Sequence, residues 1–269
     1  MCASWAPMMP TRLEGSKFHM SNQKFLEVEG VPLAYNQYLS TSASVGLVFL
    51  GGFASDKEGS KALALESLAK TKGYDFLRFD YLAHGNSGGD FETDGCISRW
   101  LLDALTMIDT LTTGPQILIG SSMGGWLALL VAKYRPQRLR ALIGIAAAPD
   151  FTLDLIPHKL GASGLAALKA DGVYYEPTPY GPDPYIWTQL LFDDAAQHRV
   201  LDGNLTLPCP LHLIQGQQDP DVPWAHGIKI IENVSAPQMH LSLIADGDHR
   251  LSREQDLDLI CEIVNRYAG

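Results

Sequence analysis

Apolar and polar residues alternate along this chain in segments that predict strands and helices in turn. The first two segments, QKFLEV and PLAYNQYL, alternate every second residue around a turn at residues 29–30, as half-exposed strands do. The next segment, VGLVFL (45–50), is continuously apolar, which is typical of a strand covered on both faces. An antiparallel pair at the edge of a buried sheet is therefore predicted.

Strands and helices then follow one another at short intervals, with one interruption. Further strands are predicted at 75–81, 116–120, 139–147, 210–216 and 239–246, and helices at 97–111, 126–134, 226–234 and 254–267, with another from about residue 56. Such alternation predicts an α/β fold, with a mostly parallel central sheet of about eight strands, right-handed crossovers and helices on both faces.

The interruption covers residues 149–208, a stretch rich in Pro, Gly and Tyr in which short helical pieces but no clear strand are predicted. A plain loop of that length is unusual, and such insertions are often lids or binding elements. We therefore predict an N-terminal tail at 1–23, an α/β core formed by 24–148 and 209–269, and a short inserted cap at 149–208.

Composition narrows the classes of function. With 46% apolar and 19% charged residues the chain can bury a sizeable core, and its net charge of −10 argues against nucleic acid as a partner. The four cysteines lack metal-site or disulfide-framework spacing, which favours a reducing compartment. The apolar runs are too short to span a bilayer, and the N-terminal segment lacks the pattern of a secretory signal. A soluble cytoplasmic protein without an integral membrane segment is expected.

The segment GSSMG (120–124) carries the first candidate for chemistry. It matches G-x-S-x-G and lies directly between a predicted buried strand and a predicted helix, where a sharp turn can hold a nucleophilic serine. Ser122, the central residue, would stand at a helix N-terminus, where the helix dipole and free N–H groups favour negative charge. Ser121 lies one residue off centre and is assigned a structural role. A turn that merely packs a helix on a strand is the alternative.

A serine hydroxyl becomes nucleophilic when a base removes its proton and an acid orients that base. His249 lies in the polar segment DGDHR (246–250), between an apolar strand and the last helix, which places it at the carboxyl edge of the sheet. Asp219 is the first carboxylate after the strand PLHLIQG and is the preferred acid. Asp221 and Asp150 are the alternatives.

Three other histidines fit structural roles better. His212 and His240 fall within strand patterns, where hydrogen-bonded or edge-facing histidines are expected. His84 opens the turn HGNSG (84–88) and is predicted to bond to the backbone and hold that turn rather than to act in catalysis.

An oxyanion needs fixed donors, and two backbone N–H groups are candidates. The Met123 N–H directly follows the predicted nucleophile, and a second donor is expected in the turn GGFA (51–54) after the first buried strand. Phe53 N–H is preferred there, with Gly52 as its alternative. A glycine pair that merely turns the chain is the structural explanation of the same pattern.

The order of GGF, HGNSGG, GSSMGG, GQQDPDVP and GDHR along residues 24–267 resembles the α/β-hydrolase superfamily. The segments KALALESLAKTKGYDFLRFDYLAHGNSGG, GPQILIGSSMGGWLALLVAKYRP and VPW are similar to the palmitoyl-protein thioesterase and mycophenolic-acid acyl-glucuronide esterase subfamily. The resemblance implies an α/β-hydrolase fold with nucleophile, acid and base at Ser122, Asp219 and His249, in the family's chain order. Animal members are mitochondrial, but this N-terminus lacks an Arg/Ser-rich transit peptide, so the mitochondrial matrix is kept as the alternative location for a eukaryotic protein.

These features predict a serine carboxylesterase or thioesterase that acts on a small-molecule ester or acyl thioester through an acyl-enzyme intermediate and needs no metal or organic cofactor. Other triad enzymes of the fold (carbon–carbon bond hydrolases, perhydrolases, acyltransferases) and a catalytically quiet ligand-binding protein are the alternatives. An apolar acyl or aromatic pocket is suggested by a set of aromatic residues in the cap and near the expected mouth: Tyr174, Tyr175, Tyr180, Tyr185, Trp187, Trp126 and Trp224.

Overall fold

The computed structural model describes residues 23–41, 43, 45–179, 181–203 and 205–269. Residues 1–22 of the predicted tail, and Tyr180 of the cap, lie outside the described residues. The strands are β1 (Lys24–Val28), β2 (Val31–Tyr38), β3 (Gly46–Leu50), β4 (Asp75–Phe79), β5 (Gln116–Ser121), β6 (Leu139–Ile145), β7 (Val173–Glu176), β8 (Tyr185–Thr188), β9 (Leu205–Thr206), β10 (Leu211–Gly216), β11 (Val234–Ser235) and β12 (Met239–Ile244).

The helices connect these strands and cover the sheet. They are α1 (Ser60–Lys72), α2 (Phe91–Asp94), α3 (Ile97–Leu111), α4 (Met123–Tyr134), α5 (Phe151–Asp154), α6 (Ile156–Asp171), α7 (Gln189–Ala195), α8 (Trp224–Asn233) and α9 (Glu254–Ala268). In the part of the chain that the structure describes, no helix combines the length and apolar character needed to cross a membrane.

Eight strands form one sheet in the order β1-β2-β4-β3-β5-β6-β10-β12. β2 pairs antiparallel with both β1 and β4, whereas β4, β3, β5, β6, β10 and β12 are parallel to one another. The predicted antiparallel pair at one edge and the mostly parallel sheet are both confirmed. The carboxyl ends of the parallel strands share one edge, so the loops after β3, β5, β10 and β12 meet there.

The central strands β3 and β5 are buried along their whole length because helices cover both faces of the sheet. Every residue of β3 and β5 is buried. Successive residues of β3 belong to different apolar clusters: Val48 and Leu50 pack with α3 and α4, while Leu47 and Phe49 pack with α1 and α9. This two-sided burial leaves the strand ends as the place where polar side chains can be presented.

Residues 149–208 contain more regular structure than the sequence pattern predicts. α5, α6 and α7 lie here, and β7 and β8 form an antiparallel hairpin in which Tyr174 is the register partner of Trp187. The expectation of helical pieces without a strand is therefore wrong. Each strand has four residues, too few to show a period of two, and a Pro- and Gly-rich segment separates them. The cap's status as a separate unit stays a prediction.

Candidate active site

Ser122 lies between β5 and α4 in a strained backbone conformation. Its φ is 54° and its ψ is −118°, a region that residues with a side chain rarely occupy. The Ser122 N–H donates to the Ile145 carbonyl at 2.9 Å, and the Ser122 carbonyl accepts from the Ala148 N–H at 3.1 Å. The end of the neighbouring strand therefore holds the serine in this conformation.

The glycines around Ser122 allow backbone segments to pass close to one another. A methyl group on Gly120 would overlap the Gly124 carbonyl. A methyl group on Gly124 would overlap the carbonyls of Leu50 and Gly51. Because these obstacles are backbone atoms, no side-chain movement could relieve the overlap. Glycine at both positions is thus required for α4 to start directly beside the end of β3.

The predicted acid and base meet at the carboxyl edge of the sheet. Asp219 follows β10 and His249 follows β12, and His249 Nδ1 lies 2.8 Å from Asp219 Oδ2. The Asp219 side chain is fully buried, whereas that of His249 is 17% exposed. Three further donors hold the carboxylate: Gln215 Nε2 (3.0 Å) and the N–H groups of Asp221 (2.9 Å) and Val222 (2.8 Å). A carboxylate fixed in this way can orient an imidazole and stabilise its charged form.

The two alternative acids have other contacts. Asp150 is buried at the start of α5 and accepts the backbone N–H groups of residues 200–201. Burial raises the pKa of Asp150. The Asp221 carboxylate lies 3.2 Å from the Lys159 ammonium. The short contact with the predicted base therefore favours Asp219 as the acid.

Asp219, Asp221 and His249 could also be considered as metal ligands, since their ligand atoms lie within 4.8 Å of one another. The Asp219 carboxylate, however, already accepts two backbone N–H groups and an amide in addition to the imidazole. With its lone pairs occupied by these donors, the group fits an acid–base pair better than a metal site.

One cavity contains both the predicted nucleophile and the predicted base. Its volume is about 470 Å³, and Ser122 and His249 both line it. The apolar part of its lining includes Phe53 of the loop after β3 and five residues of the cap: Phe151, Leu155, Ile156, Tyr185 and Trp187. The polar part includes Asp56, Ser60, Lys61, Arg250 and Ser252. An apolar acyl group and a polar leaving group would each find matching surface here.

The aromatic residues predicted for the pocket divide into two groups. Tyr185 and Trp187 line the cavity. Trp126 is fully buried in the core, and Trp224 is 43% exposed at the start of α8. Neither of these two is among the described residues that line the cavity. Tyr175 is exposed and donates its hydroxyl to Glu92.

The loop after β3 runs beside the predicted nucleophile. A methyl group on Gly52 would lie 3.4 Å from the Ser122 Cβ, and Phe53 lines the cavity. Met123 is the first residue of α4, and its side chain is completely buried. The loop that carries the Phe53 N–H and the helix start that carries the Met123 N–H are thus both next to Ser122.

The Phe53 ring joins this loop to the cap. It stacks on Trp187 of β8 with 4.6 Å between the ring centroids and 5° between the planes. Four more rings meet it edge-on at 5.2–5.9 Å: Phe91, Trp100, Phe151 and Tyr185. No sequence pattern indicates this stack, because residues 53 and 187 are far apart in the chain and belong to different elements.

Lys159 of α6 is a second cavity residue that the sequence pattern does not single out. Its Nζ lies 3.2 Å from Asp221, in the loop of the predicted acid, and 3.3 Å from Glu176 of β7. The same ammonium is 5.7 Å from the centre of the Tyr185 ring. Although burial opposes the charge, the ion pairs with Asp221 and Glu176 raise the pKa of Lys159. Lys159 therefore stays charged and connects the cap to the core.

Lys61, at the start of α1, contacts the loop of the predicted base. Its Nζ donates to the carbonyl of Arg250, the residue directly after His249. Burial and the positive charge of Arg250 lower the pKa of Lys61 to about 8. The cavity thus contains an amine that loses its charge much closer to neutrality than an ordinary lysine does.

Three other histidines have contacts that agree with the structural roles predicted for them. His84 Nδ1 lies 2.9 Å from the Leu82 carbonyl, and its Nε2 accepts from the Ala54 N–H at 3.1 Å. His212, within β10, contacts two neighbouring hydroxyl groups at 2.9 and 3.2 Å. His240 is exposed on the edge strand β12.

Comparison with known proteins places this geometry in a family. The model of the alpha/beta hydrolase family matches residues 47–263. The chain belongs to that family. The match runs from β3 into α9, so it includes the predicted triad residues Ser122, Asp219 and His249.

Several relatives within the family cover most of this chain. The human palmitoyl-protein thioesterase ABHD10, mitochondrial, is 35% identical over 238 residues, which are 88% of this chain and 76% of that protein. Among solved structures, a candidate hydrolase from Agrobacterium vitis S4 is 38% identical with a TM-score of 0.86. The match covers 92% of this chain and 98% of the Agrobacterium chain. The mouse alpha/beta hydrolase domain-containing protein 10 is 31% identical with a TM-score of 0.82, and the match covers 91% of this chain and 97% of the mouse chain. The chain is a hydrolase with the alpha/beta hydrolase fold.

Proposed function

We propose that this protein is a serine hydrolase that cleaves carboxylic esters or acyl thioesters through an acyl-enzyme intermediate. One observation carries the proposal. Ser122, held at positive φ at a strand–helix junction, shares a cavity with His249, whose Nδ1 is 2.8 Å from the buried Asp219 carboxylate. Nucleophile, base and acid are the three parts that serine-based acyl transfer needs.

In the acylation step, Ser122 Oγ attacks the acyl carbon while His249 Nε2 takes the hydroxyl proton. The carbonyl electron pair moves onto oxygen, where the N–H groups of Phe53 and Met123 donate to the oxyanion. Asp219 accepts the Nδ1–H and stabilises the imidazolium. When the intermediate collapses, the bond to the leaving oxygen or sulfur breaks, and the imidazolium gives its proton to that atom. An alcohol or a thiol leaves, and the acyl group stays on the serine.

Water completes the reaction in the deacylation step. His249 takes a proton from the water as the oxygen attacks the acyl carbon, and the same two N–H groups hold the second oxyanion. Collapse of that intermediate breaks the bond to Ser122 Oγ, which recovers the proton from the imidazolium. The carboxylic acid is released, and the residues return to their starting state without a cofactor.

The substrate we propose is a small molecule or side chain that carries an acyl group. Relatives named palmitoyl-protein thioesterase support a thioester, and the apolar lining contributed by the cap supports an apolar acyl chain. A cavity of about 470 Å³ has the size of an ordinary small-ligand site.

Labelling with a fluorescent fluorophosphonate tests the chemistry. This electrophile reacts with activated serines, so wild-type protein should become labelled and Ser122→Ala should not. Ser252→Ala, which removes another serine hydroxyl from the cavity lining, is the matched control and should label normally. A wild-type protein that folds but does not label would favour a catalytically quiet ligand-binding protein over the proposed enzyme.

A substrate panel then separates the reaction types. p-Nitrophenyl esters, acyl-CoA and S-acyl cysteine compounds of graded chain length should show hydrolysis that Ser122→Ala abolishes. Release of free acid with water as acceptor supports hydrolysis. Transfer to an added alcohol or amine, or to hydrogen peroxide, in preference to water would support an acyltransferase or a perhydrolase instead.

We propose a reducing compartment as the place of action, the cytoplasm or, in a eukaryotic cell, the mitochondrial matrix. Cys96, Cys209 and Cys261, the described cysteines, form no disulfide. The curated names of the relatives include the word mitochondrial. Fractionation of cells that express the full chain checks this location, and recovery in the secreted fraction would contradict it.

A further inference from the structure

The loop after β3 is hydrogen-bonded at two successive peptide groups. The Gly52 carbonyl accepts from the Ser55 N–H at 3.3 Å and from the Ser55 hydroxyl at 2.8 Å. The Ala54 N–H donates to His84 Nε2 at 3.1 Å. Ala54 has a φ of 53°, a conformation that an alanine adopts only under restraint. Phe53 lies between these two bonded groups.

His84 is held in a single tautomer by its partners. The Leu82 carbonyl near Nδ1 is an acceptor, so Nδ1 carries the proton, whereas Nε2 faces the donor Ala54 N–H and carries none. The ring is 2% exposed, and the rings of Tyr81 and Trp100 meet it edge-on at 5.5 and 5.1 Å. Burial lowers the pKa of His84 to about 4, so this neutral form persists at neutral pH.

The backbone of Leu82, whose carbonyl contacts His84 Nδ1, is itself held by hydrogen bonds. The Leu82 N–H donates to the buried Asp103 carboxylate at 2.8 Å, and Trp100 Nε1 donates to the Leu82 carbonyl at 3.1 Å. The Ala83 N–H donates to the Gly88 carbonyl at 2.8 Å and closes the turn. A histidine mounted on this turn can therefore transmit a fixed position to the neighbouring loop.

We propose that His84 and Ser55 are positioning residues that aim the Phe53 N–H at the oxyanion. A trans peptide group directs its C=O and N–H to opposite sides, so the bonds from Ser55 to the Gly52 carbonyl set the direction of the Phe53 N–H. His84 fixes the next peptide group along the chain, at Ala54. This assignment rests on the proposed serine hydrolase function and adds two residues outside the triad.

Three variants of the full chain test the assignment. His84→Leu removes both ring nitrogens, whereas His84→Gln offers an amide oxygen and an amide N–H at a spacing close to that of the imidazole nitrogens. Ser55→Ala removes the hydroxyl from an exposed residue that lines the cavity. The readouts are kcat and KM for a p-nitrophenyl ester and the Ki of an alkyl boronic acid, which forms a tetrahedral adduct on the serine.

A positioning role predicts a selective loss of transition-state stabilisation. Removing an oxyanion donor costs about 10²- to 10³-fold in rate, and misplacing one should cost less. We expect kcat to fall by about 10- to 100-fold in His84→Leu and by about 10-fold in Ser55→Ala, with KM changed by less than about 3-fold. The boronic acid Ki should rise in parallel with the loss in kcat. His84→Gln should recover to within about 5-fold of wild type.

Wild-type kcat in both Ser55→Ala and a folded His84→Leu would overturn the assignment, as would a Gln variant no faster than the Leu variant. If circular dichroism shows that His84→Leu does not fold, Ser55→Ala and His84→Gln decide. A wild-type kcat and boronic acid Ki in Ser55→Ala would then count against the assignment. Absence of turnover and of Ser122 labelling in wild-type protein would instead overturn the proposed function itself.

Discussion

The core and the cap hold their parts of the site by different means. In the core, backbone packing fixes Ser122, the proposed nucleophile, since methyl groups on Gly120 or Gly124 would overlap main-chain atoms. In the cap, side-chain contacts hold the cavity wall: Trp187 stacks on Phe53, and Lys159 pairs with carboxylates on either side. Main-chain packing cannot be altered without moving an element, whereas side-chain contacts can be replaced one at a time.

This difference separates two kinds of expected effect. Changes in the core should remove the chemistry or the fold, because the reacting groups depend on the path of the chain. Changes in the cap should alter substrate binding and selectivity and leave the chemical step largely intact. Four measurements, from the largest expected effect to the smallest, test this division.

The largest effect is expected for His249, the proposed base in the core. His249→Ala should lower kcat by about 10⁴- to 10⁶-fold, because the members of a triad act as a unit. His240→Ala, at an exposed histidine on the sheet edge, is the control and should stay within about 2-fold of wild type. Steady-state kinetics on one ester measures both. The reverse result would identify His240 as the base in place of His249.

The second effect compares one glycine from each region. Gly124→Ala should lower the free energy of unfolding by about 3 kcal/mol or more, because its methyl group would overlap the carbonyls of Leu50 and Gly51. A methyl group on Gly181, in the cap, would meet no atom of the described residues within 4 Å, so Gly181→Ala should change stability by about 0.5 kcal/mol or less. Urea denaturation measures the difference. Equal stabilities would show that backbone packing at Ser122 is less strict than these distances imply.

The third effect is a dependence of the free energy of unfolding on pH, caused by the buried His84 of the core. Its pKa is about 6.5 in an unfolded chain and is lowered to about 4 by burial. Between these values the unfolded state binds a proton that the folded state does not, so the free energy of unfolding falls as pH drops from 6.5 toward 4. Between pH 7 and pH 4, the free energy of unfolding should decrease by about 3 kcal/mol more in wild type than in His84→Gln.

Denaturation curves at pH 7, 6, 5 and 4 for both proteins give this difference directly. Other groups titrate in the same range, and the comparison of the two proteins removes their contribution. Parallel curves would show that His84 is not held neutral in the folded protein.

The smallest effect is expected in the cap. Lys159 is 38% exposed, and ion pairs at that exposure contribute little. Lys159→Met should therefore raise KM by about 2- to 5-fold with kcat nearly unchanged. Lys169→Met, at an exposed position of α6 beyond the kink at Gly161, is the control. A loss of kcat as large as that of a core variant would show that the cap takes part in the chemical step.

Most of the core could be predicted from the sequence, for a physical reason. Strands covered on both faces are continuous apolar runs, and a parallel sheet places the loops that follow them at one edge. Ser122 and Asp219 each follow a strand that is buried on both faces, and His249 follows the edge strand β12, so their meeting at that edge could be expected from the strand order. The assignment of catalytic roles to these three residues stays a prediction.

The cap could not be predicted in the same way. Its hairpin strands are four residues each, and the contacts that position it are between residues far apart in sequence, such as Phe53 with Trp187. The contact between His84 and Ala54 could have been predicted from the order of the strands. β3 and β4 are neighbours in the sheet, so the loops after them lie side by side, and the turn HGNSG follows β4.

The stack of Phe53 on Trp187 links two properties that enzyme engineers usually try to vary separately. A smaller residue at 187, introduced to admit a bulkier acyl chain, would also remove the ring that supports the loop beside Ser122. Gains in substrate range at this position should therefore come with slower turnover. Redesign of the wall should begin at Leu155 or Ile156, which line the same cavity without stacking on Phe53.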